Sequence, residues 1–127
     1  MGGMCGVVFA DQKTTVDRNS LMQMARALAF SKGEEVRAHC SSPVGLSIAL
    51  SCSASENIAE TIVHGQPVGV AVFGVLYQVA GENHRGYGLD RMSACVLDGY
   101  VKNGLSIIRQ LRGDFVLAIW DGREYFM

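Results

Sequence analysis

The hydrophobic pattern divides the chain into near-continuous apolar runs and two stretches of helical period. Gly6-Val7-Val8-Phe9-Ala10, Val44 to Leu50, Val68 to Val79 and Phe115 to Trp120 are apolar at nearly every position. A strand with one wet face alternates polar and apolar side chains, so these four runs predict strands buried on both faces. Ser20-Leu21-Met22-Gln23 has the form of a capping box, in which Ser20 and Gln23 satisfy free amide groups at a helix start. Behind it, Leu21, Met24, Ala25 and Leu28 make one apolar stripe that ends near Lys32-Gly33. Leu89, Met92, Val96 and Tyr100 predict a second helix stopped by Asn103-Gly104, and Leu105 to Leu111 a short helical turn.

The turn signals then set the sheet type. His64-Gly65-Gln66-Pro67 and Asp121-Gly122 predict hairpins, hence antiparallel pairing. Hairpins built from doubly buried strands need cover on each side, which two stacked sheets with helices outside them supply. Asp121-Gly122 should turn the chain into a returning strand over Arg123-Glu124-Tyr125-Phe126-Met127, where the sequence ends. A sheet edge left there would be open to a second copy, giving a homodimer, unless the outer helices shield it or further residues of the domain complete it. Ser51-Cys52-Ser53-Ala54-Ser55 predicts a flexible loop, and Gly81 to Gly88 a glycine-rich connector.

Composition narrows the function classes. A chain of 127 residues with 49% hydrophobic and 18% charged residues is expected to form one domain with a well-buried core. Eleven Lys and Arg against twelve Asp and Glu give a net charge of -1, and no basic run could track phosphates, so nucleic acid is not an expected partner. Mean hydropathy is +0.19, but the longest charge-free run, Thr61 to Gly81, is broken by the turn at His64 to Pro67. No membrane span is expected. Nor does a basic start with an apolar stretch behind it open the chain, and the expected place is the cytoplasm. Cys5, Cys40, Cys52 and Cys95 contain no CxxC pair, and His39, His64 and His84 have no ligand spacing. Reduced thiols, no metal and no cofactor are the expectation.

Cys5, directly before the first apolar strand, is the candidate for chemistry. Taken alone it is a small buried hydrophobe, as most free cysteines are. The order of strings along the chain changes this. Met4-Cys5-Gly6-Val7-Val8 is followed by Gly45-Leu46-Ser47-Ile48, then Phe73-Gly74-Val75-Leu76-Tyr77-Gln78, then Leu111-Arg112-Gly113-Asp114-Phe115 running on to Trp120-Asp121. This succession resembles the glutaminase domain of class II glutamine amidotransferases, within the N-terminal nucleophile hydrolases. It is most similar to the N-terminal domain of glutamine-hydrolysing asparagine synthetase, where the strings are MCGI, RLSI, NGEIYN and LxGxFAFAIWD.

The resemblance implies an α+β fold of four layers, αββα, with two stacked antiparallel sheets and outer helices. It implies a single glutaminase-like domain over residues 1–127 that lacks the C-terminal part of the family's domain. It further implies that Cys5, once N-terminal, attacks the side-chain amide of glutamine with its own α-amine as base, releasing ammonia without a cofactor. Gly74 matches the glycine whose backbone N–H serves the oxyanion hole. Phe73 stands where the family has the oxyanion-hole Asn, Val75 where it has a Glu near the substrate amine, and Gly45 where an Arg grips the substrate carboxylate. A phenyl ring donates no hydrogen bond, and losing one such donor costs about 10²–10³ in rate. While Met1-Gly2-Gly3-Met4 remain attached, Cys5 has no free amine. Negligible glutamine hydrolysis is therefore expected of the chain as it stands. Two alternatives accompany the glutaminase reading: a non-catalytic binding or assembly module of the same fold, a possible pseudoenzyme, and an N-terminal cysteine hydrolase acting on another amide. The implied partners are glutamine or another small amide and a separate synthetase.

Overall fold

The structure is a computed structural model and describes residues 2–10, 13–29, 33–41, 44–50, 58–79, 82–83 and 92–123. The described residues form an α+β structure of two antiparallel sheets and two α-helices, in two compact units, Met1–Ser53 and Ala54–Met127.

In the first unit, β1 (Gly3–Val8) and β2 (Glu35–Ser41) flank β3 (Val44–Leu50), giving the order β1-β3-β2. Helix α1 (Arg18–Leu28) covers one face of this sheet. Residues of β3 alternate small and large, and the small ones, Gly45, Ser47 and Ala49, let the helix approach closely. A Cβ at Gly45 would collide with the side chains of Val16 and Leu21. The helix begins one turn earlier than the capping box predicts. Asp17 is the N-cap and accepts from the backbone N–H groups of Asn19 and Ser20, while the Ser20 hydroxyl donates to Asp17 Oδ2 at 2.6 Å. An ionised carboxylate takes both amides and the hydroxyl, which a serine at the cap could not. The helix ends at Leu28, short of the predicted stop; Lys32 lies outside the described residues.

In the second unit the long β5 (Gln66–Val79) is central. Strand β7 (Arg112–Asp121) pairs with one edge of it. Strand β4 (Ile58–Val63) and the two-residue β6 (Glu82–Asn83) pair with successive parts of the other edge. The hairpin between β4 and β5 turns at His64 and Gly65, both with positive φ, 51° and 75°, the tight turn that suits the strand twist. Helix α2 (Met92–Asn103) and the 3₁₀ helix Gly104–Gln110 pack on one sheet face. Val68, Val70, Val72 and Leu76 of β5, Ile119 of β7, and Met92, Val96, Leu97 and Tyr100 of α2 form that core. A β-bulge between Leu76 and Gln78 shifts the alternation by one, so that Val79 rejoins the same face.

Burial on both sheet faces holds for Val68 to Val72 and for Ala118 to Trp120. It does not hold for the Gly6 to Ala10 run, where Gly6, Val8 and Ala10 are exposed, nor further along β5 and β7, where Val75, Tyr77 and Val116 are exposed. The predicted helix start at Leu89, the loop at Ser51 to Ser55, the connector from Gly81 to Gly88 apart from β6, and the returning strand from Arg123 to Met127 apart from Arg123, which lies in a turn, are outside the described residues. No helix among the described residues is long and apolar enough to cross a membrane.

Candidate functional site

Cys5 sits in the middle of β1, directly opposite Ser47 of β3. Opposed residues in an antiparallel pair point to the same face, and here it is the face that α1 covers. The half-buried Cys5 Sγ lies 3.1 Å from Ser47 Oγ. Ser47 is fully buried, and its hydroxyl donates to the Leu21 carbonyl of α1 at 3.0 Å. A serine has one proton to give. With that proton on the Leu21 carbonyl, the Cys5 thiol is the donor to Ser47 Oγ. The result is a short chain of hydrogen bonds running from β1 through β3 to the helix.

Gly45 lies on the same face, opposite Val7. Any side chain there would run into Val16 and Leu21. The position that carries the carboxylate-gripping Arg in the resembling family is thus filled by apolar packing, with no room for a cation. Val8 to Gly3 pair in unbroken register with Val44 to Ala49, so the ladder runs through Cys5 and includes Gly3 and Met4.

Comparison with known protein families, curated proteins and solved structures finds no match.

Phe73, Gly74 and Val75 belong to the second unit, on β5 opposite Val116, Phe115 and Asp114. Gly74 has φ +113°, a conformation that L side chains rarely adopt, and a Cβ there would meet the Asp114 carbonyl and come within 2.8 Å of Phe115 Cα. The backbone at this place therefore demands glycine, independently of any oxyanion role. Phe73 is half-buried and Val75 exposed. Among the described residues, no three His, Cys, Asp or Glu side chains converge to hold a metal ion.

Two groupings escape sequence reasoning. The first is Ser47: its string resembles the family's RLSI, but only the pairing with β1 brings its hydroxyl to Cys5. The signal that could have found it is the small–large alternation of Gly45 to Leu50, which puts Ser47 on a close-packed face. The second is a polar cluster around the buried Asp121 at the end of β7. Asp121 accepts from the Tyr100 hydroxyl at 2.9 Å, from both ends of the Arg123 guanidinium at 2.9 and 2.7 Å, and from the Arg123 backbone N–H. The Arg123 guanidinium, helped by that N–H and the Tyr100 hydroxyl, holds the Asp121 carboxyl down at about 2, against burial, which pushes the other way.

Proposed function

We propose that this chain is a glutaminase-type domain of the N-terminal nucleophile hydrolase class, similar to that of asparagine synthetase. Its two sheets and two helices would form the inner and outer layers of an αββα sandwich, and Cys5 would be the attacking group. The observation that carries the reading is the pairing of Cys5 with Ser47. Two strings that the resemblance assigns to one site lie on adjacent strands, with the thiol on a fully buried hydroxyl.

In the reaction, the Cys5 sulfur bonds to the amide carbon while the α-amine, freed by removal of Met1 to Met4, takes the thiol proton. The tetrahedral adduct collapses to a thioester as the C–N bond breaks, and the amine passes the proton to the departing ammonia. Water then cleaves the thioester to the carboxylate and restores the thiol. With Gly45 and Phe73 in place of the Arg and Asn, the substrate is better described as a small amide without a gripped carboxylate than as glutamine itself.

The test compares the full chain with one cut to begin at Cys5. The full chain should release no ammonia from glutamine or from simple primary amides. The cut chain should release it slowly, with the loss of the Asn donor alone costing about 10²–10³, and Cys5→Ser should abolish the release.

One observation favours a second reading, a non-catalytic module of this fold. The β1 ladder continues through Gly3 and Met4, so Cys5 is an internal residue of a paired strand. A folded, cut chain that releases no ammonia from any of these amides would decide for the module and against the enzyme.

A further inference from the structure

We propose that Ser47 is a positioning residue for Cys5: its hydroxyl proton turns from the Leu21 carbonyl to the Cys5 sulfur when the thiol gives up its own. The assignment rests, for its purpose, on the reading of Cys5 as an attacking group, but its geometry stands on the first unit alone.

The two hydrogen bonds of Ser47 define the resting state. The hydroxyl donates to Leu21 at 3.0 Å, and its oxygen stands 3.1 Å from Cys5 Sγ, so the thiol proton fills the gap between sulfur and oxygen. Loss of that proton would leave a sulfur anion facing an oxygen lone pair. Rotation about the Ser47 Cβ–Oγ bond removes the conflict, because it aims the O–H at the sulfur without moving a heavy atom. The Leu21 carbonyl loses little by this. Leu21 lies inside α1, where a carbonyl takes the helical bond from the residue four positions on, here Ala25. The bond formed is charge-assisted and about twice as strong as the neutral one given up.

Burial makes the arrangement effective. Ser47 is fully buried and pinned between β3 and α1. Its oxygen is therefore held at one place relative to Cys5, 3.1 Å from the sulfur.

The experiment follows alkylation of Cys5 by iodoacetamide, in which the sulfur displaces iodide to form a thioether. Peptide mass spectrometry on the full chain reads each cysteine separately. Exposed Cys40 serves as the internal reference. In Ser47→Ala, Cys5 should react about three- to tenfold more slowly near neutral pH, and the two rates should converge in strong alkali. Cys40 should be unchanged. Equal or faster alkylation of Cys5, or slowing by the same factor at every pH, would overturn the assignment. If Ser47→Ala loses its fold by circular dichroism, the unaltered chain decides. Its Cys5 S–H stretching band, identified by its loss in Cys5→Ser, should lie below that of Cys40, and a band at the free-thiol position would overturn the proposal. Neither measurement uses ammonia release. A chain without amidase activity that shows the slowing keeps the Ser47 assignment and loses only the enzyme reading; an active chain without it loses only the Ser47 assignment.

Discussion

Gly69 of β5 stands between Glu60 of β4 and Trp120 of β7 in one cross-strand row. Because Gly69 has no side chain, the Trp120 indole lies across it and donates from Nε1 to Glu60 Oε2 at 2.9 Å. The indole is almost fully buried, and a buried indole N–H needs an acceptor. Gly69→Ala would push a methyl group into the ring, with an expected loss of about 1–3 kcal/mol in urea denaturation. Trp120→Phe removes the donor and should lose about 1–2 kcal/mol. Because the two changes strike one contact, the double variant should be less destabilised than the sum of the singles. Strict additivity would show that the indole does not depend on the glycine.

At the scale of the element, β5 is the strand on which the second unit depends. It pairs on both edges, supplies the core facing α2, and carries a bulge that re-phases its last residues. Gly74→Ala would combine a strained φ with a collision against the neighbouring β7 backbone. A loss of about 2–3 kcal/mol is expected, read as a lower thermal midpoint. A Gly74→Ala chain as stable as the parent would remove the backbone explanation for this glycine. The hydrophobic pattern located β3, most of β5 and β7 and half of β1, because each contains an apolar run. It did not locate β2 or β4. Glu35–Ser41 and Ile58–Val63 mix polar and apolar residues, and both are edge strands with mostly half-buried or exposed positions. An edge strand is defined by the neighbour that offers it hydrogen bonds, and its own composition needs only to permit pairing.

For the molecule as a whole, the Tyr100–Asp121–Arg123 cluster sets a pH dependence. Asp121 is held at about 2, below its ordinary 3.8. A lowered carboxyl stabilises the fold above its unfolded-state value, and that contribution disappears as pH falls from near 3.8 through about 2. The difference corresponds to about 2 kcal/mol at neutral pH. Asp121→Asn should therefore lower stability at pH 7 by about that amount, and the gap to the parent should close near pH 2 in urea titrations. A gap that persists unchanged in acid would show that the cluster acts through shape and not through charge.

The class of the fold and a candidate residue for chemistry are both legible in local side-chain spacing and residue order. Apolar runs of strand length, a stripe at helical period and a turn at His64-Gly65 require antiparallel sheets with helices against them, since each is a local consequence of side-chain spacing. Cys5 at the mouth of the first run was legible in the same way. Which residues meet is a matter of packing. A period of two says which face a residue takes, but its partner depends on the register between strands, which packing sets. Cys5 met Ser47 because β1 and β3 pair in one register and not the next. Glu60 and Trp120, separated by 60 positions, met because a glycine between their strands leaves room for the ring. Gly45 became a packing position because α1 lies close on it. These are contacts between residues far apart in the chain, and their geometry exists only once the strands and helices have packed.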